Sequence, residues 1–463
     1  MNMQSHAVIA LLLLSGILAG CQEPRRKSLV NFSHLEHLTE RIDLAGTKVS
    51  IVHIYANYPD YSWTDAKESG PEGIACVDDA ARAAVVYLRD FELNRRTVSL
   101  ERARRLLDFI LTMQAEDGEF WNFILADHSV NRDGKTSCKS FGWWAARGVW
   151  SLGLGCRVFR EVDSAYASRL RGAVERSLPH VRALLQKFGK MEQESGYRKP
   201  TWLLYGSGAD ATSELMLGLI EYYQVARSRD LHDRLPLAHE VHDAIVRFAD
   251  GFQTMQEGDL ATFPYGLHRS WGTLWHLWGN GQTQALATAG RVLGDSAMIQ
   301  SARQEADGFY ARLLAGGLMR EMDLADPASR KEFDQIAYGI RPMAVGLLRL
   351  YDATGNADYL RMAGLAASWF FGNNPAGVVM YDSATGRCFD GILSATEINR
   401  NSGAESTIEA LMALVELDAY PEALRFCRFR RMTSDSLRAE FVSPAGERVT
   451  LHLDPVNKRF WFE

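Results

Sequence analysis

Apolar residues recur every three or four positions along most of the chain, the spacing that places them on one face of a helix. The pattern comes in two alternating forms. In the first, a single stripe is apolar: Ala103, Leu106, Leu107, Ile110 and Met113 oppose Arg102, Arg104, Arg105 and Asp108. Residues 170–185, 241–252, 298–313 and 360–370 repeat it. In the second form the segment is apolar nearly all round, rich in Ala, Gly and Leu, and polar mainly at its start. These segments are 77–88, 141–155, 210–223, 277–293, 338–351 and 402–417. A helix apolar on every side is buried, and small residues let such helices approach closely.

The markers Asp79, Gly142, Asp210, Asn280, Gly339 and Gly403 step by 63, 68, 70, 59 and 64 residues. This predicts six weak repeats of an inner helix followed by an outer one, with Ser33 to Ile42 as an outer helix ahead of the first. Six hairpins of that kind predict an all-α (α/α)6 toroid over residues 31–425. An α-solenoid shares the local pattern, but its repeats run to roughly 34–47 residues and need no long insertions on one side. Here the insertions precede the inner helices, at 55–75, 116–140, 196–208, 258–274 and 371–401. In a toroid they share one rim and build a single mouth. From 426 to 463 the pattern alternates around a Pro-Ala-Gly turn, which predicts a small β appendage.

Composition narrows the reading. Hydrophobic residues make up 47% and charged residues 23% of 463, which excludes a disordered chain. A net charge of −6 offers no basic field, so nucleic-acid binding is not expected. The run Ala7 to Gly20 is too short to span a bilayer comfortably and reads as the core of a signal peptide over residues 1–20. It ends Leu18-Ala19-Gly20-Cys21, which resembles the lipobox of bacterial lipoproteins. That resemblance implies lipidation at Cys21, a tether over 21–30, and a body anchored in the cell envelope on the periplasmic or surface side of the outer membrane. Of the other cysteines, Cys76 and Cys138 each precede an inner helix; a disulfide between them and two free thiols are both open.

The chemistry gathers at the predicted mouth. Asp78 and Asp79 open the first inner helix and Glu405 opens the last; closing a ring of six hairpins makes those helices neighbours. Paired carboxylates are what acetal hydrolysis requires, one protonating the leaving oxygen and the other activating water or attacking carbon. Helix capping is the competing explanation, since Asp is a favoured N-cap and Ser402-x-x-Glu405 fits a capping box. One cap needs one carboxylate, so capping leaves the second Asp unexplained. Aromatic residues collect in the same loops and first helical turns, including Trp121, Trp143, Trp144, Tyr265 and Trp271. Their rings suit the apolar faces of sugars. His268, Arg341 and Arg400 lie near the same helix starts and suit an anionic group such as a uronate; Asp210 and Glu214 are further acidic candidates.

The stretch Trp369-Phe370-Phe371-Gly372-Asn373-Asn374-Pro375, then a loop, then a helix opening with Glu405, resembles the C-terminal part of family 9 glycoside hydrolases. The wider likeness is to the six-hairpin glycosidases, which include unsaturated glucuronyl hydrolases. The resemblance implies Glu405 as general acid and Asp79, assisted by Asp78, as general base in an inverting glycoside hydrolase acting on an oligo- or polysaccharide. The adjacency of Asp78 and Asp79 departs from the spaced family 9 pair and marks a distinct branch. Two alternatives stay open: a lyase using Tyr265 or Tyr338 with His268, and a non-catalytic glycan-binding lipoprotein. No cofactor or metal is called for, although a rim rich in Asp and Asn leaves calcium open.

Overall fold

The computed structural model describes residues 28–463 apart from Pro71 and Ser436. The signal segment, Cys21 and most of the tether lie outside the described residues. Among the described residues no helix is long and apolar enough to cross a membrane.

The inner helices are α1 (Val77–Asn94), α3 (Trp143–Phe159), α5 (Ala209–Ala226), α7 (Gln282–Leu293), α9 (Ala337–Thr354) and α11 (Ala404–Leu417). Each is followed by an outer partner: α2 (Thr97–Met113), α4 (Ser164–Leu185), α6 (Leu235–Thr254), α8 (Ser296–Glu305), α10 (Asp358–Ala367) and α12 (Pro421–Phe426). The chain continues from α8 through a π-helical turn into a short helix, Ala311–Gly316. Each inner helix packs on the next, and α11 packs back on α1, so the ring closes. This is an (α/α)6 toroid.

Sequence explains the tightness of the ring. Gly153 on α3 and Gly218 on α5 face each other. A Cβ on Gly153 would lie 2.3 Å from the Gly218 carbonyl oxygen, and one on Gly218 2.5 Å from the Val149 oxygen. Alanine at either position would force these helices apart, an overpacking cost of about 1–3 kcal/mol. The outer helices bury the stripes their periodicity predicts, as Ala103, Leu106, Leu107, Ile110 and Met113 do in α2.

Two expectations are corrected and one open alternative is decided. Ser33 to Ile42 is not an outer helix: only Ser33–His37 is helical, and Thr39–Leu44 pairs with Thr47–Val52 in a hairpin. The turn at Ala45-Gly46, both at positive φ, and the β-branched run Val49, Ile51 and Val52 favour strand there. The sixth outer helix is instead the short α12 at the other end of the repeat. Cys76 and Cys138 are not bonded; Cys76 is buried and Cys138 exposed. Finally, a further insertion precedes α9, where Glu321–Asp323 pairs with both Leu274–His276 and Asp326–Lys331.

Beyond α12 the strands Arg430–Ser434, Arg438–Val442, Arg448–Asp454 and Arg459–Phe462 form one antiparallel sheet in chain order. Ala439, Phe441, Leu451 and Leu453 belong to the same buried core as the toroid. The sheet is held from outside by Arg431, whose Nη1 donates to the Ala315 carbonyl at 2.8 Å.

Candidate active site at the toroid mouth

Every inner helix contributes a buried polar side chain from its first two turns to a shared layer: Arg82, Arg147, Glu214, Gln284, Arg341 and Glu409. All are buried, none more than 7% exposed. Together they form one hydrogen-bonded layer across the ring. Arg82 donates to Asp79 at 2.8 Å, Glu409 at 2.9 Å and Glu405 at 3.3 Å. Arg147 donates to Asp78 at 2.7 Å, Glu214 at 2.8 Å and the Tyr338 hydroxyl at 2.7 Å. Arg341 donates to Glu409 at 2.6 Å, Glu214 at 3.1 Å and Gln284 at 3.2 Å. The Tyr338 ring lies among the three guanidinium groups, 4.9, 5.3 and 5.4 Å from Arg82, Arg147 and Arg341. Planar guanidinium groups give several directed bonds each and stay charged when buried, which lets this layer exist in an apolar ring.

Above the layer the rim loops enclose a cleft of two joined lobes. One, of about 500 Å³, is walled by Trp143, Trp144 and Trp278 with Asn122 and Tyr338. The other, of about 480 Å³, is bounded by Tyr55, Asp79 and Asp390. Asp78 and Glu405 line both lobes. Residues from the loops before α1, α3, α7, α9 and α11 meet here; of the predicted insertions, 55–75, 116–140 and 371–401 line the cleft, and 196–208 and 258–274 do not.

The carboxylates differ in setting. Asp78 accepts on both oxygens, from Arg147 at 2.7 Å and from Asn122 Nδ2 at 3.0 Å, and keeps 18% of its side chain accessible. Asp79 is 4% exposed and spent on Arg82 and on the Cys76 thiol, which donates at 3.3 Å. Burial pushes its pKa up, with Arg82 opposing and Asp78 reinforcing. Glu405 opens into the cleft with 45% of its side chain accessible. Desolvation on the cleft floor raises its pKa, Arg82 opposes, and Asp79 and Glu409 add to the rise. Glu405 is thus biased toward a protonated carboxyl facing the cavity, while Asp78 faces it as an acceptor.

The aromatic wall has its own support. Trp143 lies over the Arg147 guanidinium at 4.8 Å. Its backbone N–H is capped by the Tyr205 hydroxyl at 2.8 Å, which fits only because residue 142 is glycine: a Cβ there would lie 2.1 Å from that oxygen. Trp278 stacks on His276 at 3.8 Å, and His276 Nε2 lies 3.0 Å from Asp210 Oδ2. Asp210 therefore acts two residues removed from the cleft and does not line it.

Of the residues singled out from sequence, the structure gathers Asp78, Asp79, Glu405, Trp143 and Trp144 around the cleft. Tyr338 also lines it, and the others lie elsewhere. Arg341 is fully buried beneath the floor rather than on the rim. His268 is fully buried, 2.9 Å from Glu305 and 3.0 Å from Ser301. Tyr265 packs under Arg312, Trp121 under Arg132, and exposed Arg400 lies near the Tyr58 ring. Trp271 is 53% exposed but outside the cleft. Sequence reasoning missed Arg147, Asn122 and Trp278. For Arg147 a signal existed: an Arg in the second turn of an otherwise apolar helix start, repeated at 82 and 341. Asn122 and Trp278 sit in loops, where no periodicity marks the inward face.

Among the described residues, no group of three or more His, Cys, Asp and Glu is arranged to hold a metal ion.

No protein-family model and no curated protein sequence matches the chain. Solved structures do resemble it. The cellobiose 2-epimerase from Bacillus thermoamylovorans B4167 has a TM-score of 0.56 at 10% identity, covering 82% of this chain and 95% of its own. A sugar epimerase from a ruminal bacterium gives 0.53 at 12% identity, covering 84% and 96%. The likeness to GH family 9 endoglucanase J30 is weaker, 0.45 at 17% identity over 83% of each chain. The shared property is the toroid. At these identities the likeness carries the fold and not the reaction.

Proposed function

We propose that this protein is a glycoside hydrolase whose active site is the two-lobed cleft. The observation that carries the reading is the pair of carboxyl groups bordering both lobes in opposite settings: Asp78 as acceptor, held by Arg147 and Asn122, and Glu405 with a raised pKa. Glu405 protonates the leaving glycosidic oxygen as the bond to the anomeric carbon breaks. Asp78 takes a proton from the water that attacks that carbon. A single displacement of this kind inverts the anomeric centre. Asp79 is a positioning residue here, fixing Arg82 between the floor carboxylates, and Trp143, Trp144 and Trp278 hold sugar rings by stacking.

Other toroid chemistries find less support. A Tyr–His lyase pair is unfavourable because His268 and Tyr265 lie outside the cleft and the Tyr338 hydroxyl is engaged by Arg147 and Glu214. Epimerisation at C2 also needs a base, a role a carboxylate such as Asp78 could fill, but it leaves the glycosidic bond intact, so its product separates it from hydrolysis.

The test is a glycan panel assayed for new reducing ends, ultraviolet absorbance of unsaturated product, and 2-epimers, on wild type beside Glu405→Gln. New reducing ends without absorbance, abolished in the variant, are expected. Unsaturated product, or a 2-epimer without cleavage, sinks the reading. Anchoring through a lipidated Cys21 is proposed separately and predicts that detergent-phase partitioning is lost in Cys21→Ser.

A further inference from the structure

The charge of the cleft says which sugars it takes. Around the lobe nearer α11, the carboxylates Glu68, Asp78, Asp79, Asp334, Asp390 and Glu405 face only two cations, Arg82 and Arg147. Both guanidinium groups are already engaged, by acids of the lobe and by acids beneath the floor: Arg82 by Asp79, Glu405 and Glu409, Arg147 by Asp78 and Glu214. Arg320 of the other lobe lies 3.5 Å from Glu321 and 3.4 Å from Asp334. On the rim, Lys139 is bonded to Asp117. Asp390 takes only neutral donors, the Gly403 N–H at 2.8 Å and the Ser406 hydroxyl at 2.7 Å, both on Oδ1. The cations that sequence offered for an anionic sugar, His268, Arg341 and Arg400, are not among the cleft residues.

We infer that the cleft selects glycans by charge, rejecting uronate and sulfated sugars beside Glu405 and taking neutral or amine-bearing ones, with Glu68 and Asp390 as the specificity-determining residues. An anionic substituent in this lobe would meet like charge within a low-dielectric wall and find no unengaged guanidinium to pair with. An ammonium group there would meet carboxylates with no cation of their own. The inference rests on the hydrolase reading for the location of the site but not for the reaction.

The experiment is a glycan array carrying neutral, amine-bearing, uronate and sulfated oligosaccharides, probed with the Glu405→Gln protein so that binding is read without turnover. The strongest ligand is then titrated against its charge-altered analogues. Retention of neutral or amine-bearing glycans is expected, with uronate analogues at least about tenfold weaker at low salt. That gap should narrow at high ionic strength and in Glu68→Gln and Asp390→Asn, as an electrostatic exclusion does and a steric one does not. Uronate or sulfated glycans among the retained set, a gap insensitive to salt and to both substitutions, or no retention at all would overturn it. If a glycan is bound with this charge order but never cleaved by wild type, charge selection stands and the hydrolase reading fails.

Discussion

The two ends of the toroid axis are built from the same parts and put to different ends. Two to three helical turns below the mouth layer, the inner helices carry a second set of charges: Arg89, Arg157, Glu221, Arg349 and Glu416, around a cavity of about 230 Å³. There the acids are well matched. Glu416 sits between Arg89 and Arg349, each at 2.5 Å, and Glu92 between Arg89 and Arg157, each at 2.5 Å. Burial opposes ionisation of Glu416, but Arg349 and Arg89 outweigh it and bring its pKa to about 2. At the mouth the acids outnumber the guanidinium groups, and burial wins for Asp79 and Glu405. The lesson is one of ratio. A carboxylate given two guanidinium partners is a rivet; one sharing a single guanidinium with two other acids is a group poised to hold a proton.

That contrast can be broken at several points. The largest effect is expected for Glu405→Gln, with kcat/KM falling by about 10²–10⁴-fold, as removal of a general acid does, while denaturant unfolding shows stability unchanged or raised. Asp78→Asn should match it in activity. At the base, Glu416→Ala leaves the partly buried Arg89 and Arg349 without their shared partner, with only Glu92 and Asp352 remaining to them, and should cost about 1–3 kcal/mol in unfolding free energy, with the chemistry of the folded fraction intact. Comparable stability losses in the mouth and base variants would erase the distinction.

The pH responses sharpen it. Glu416 has a folded pKa below its ordinary 4.5, so its stabilisation is complete above that value and is lost as pH falls toward about 2. Stability should therefore decline as pH falls from about 4.5 toward 2 in wild type, and Glu416→Gln should flatten that dependence. Glu405 works in the opposite sense. Its pKa is raised, so the acid form persists above the usual glutamate range, and the alkaline limb of a kcat/KM profile should report it. The smallest effect is in the aromatic wall. Trp278→Ala should weaken substrate binding by about 0.5–1.5 kcal/mol, read as a rise in KM, whereas Trp271→Ala, outside the cleft, should leave KM unchanged.

Much of this was legible in the chain. The six buried segments, their five spacings and the placement of long insertions before inner helices depend on local periodicity and composition, and these alone imply a closed ring with one mouth. Asp78, Asp79 and Glu405 were legible because each stands at a helix start, where position along the axis follows from the repeat. Residues in irregular loops were not. Trp271 and Trp278 are seven positions apart and chemically alike, yet one borders the cleft and the other does not.

The sequence by itself determined the hairpin repeat, the toroid and the end of it where acidic groups assemble, because burial patterns along a helix are local and add up in only one closed arrangement. Tertiary structure decided which of two adjacent aspartates stays accessible in the cavity, that Arg341 lies under the floor, and that among the described residues no unengaged cation lines the cleft. Apart from the local bonds of Asp79 to Cys76 and Arg82, those outcomes depend on pairings between residues from 44 to 327 positions apart. Coulomb interaction and desolvation are set by distance in space, and nothing in one residue's neighbours along the chain encodes it.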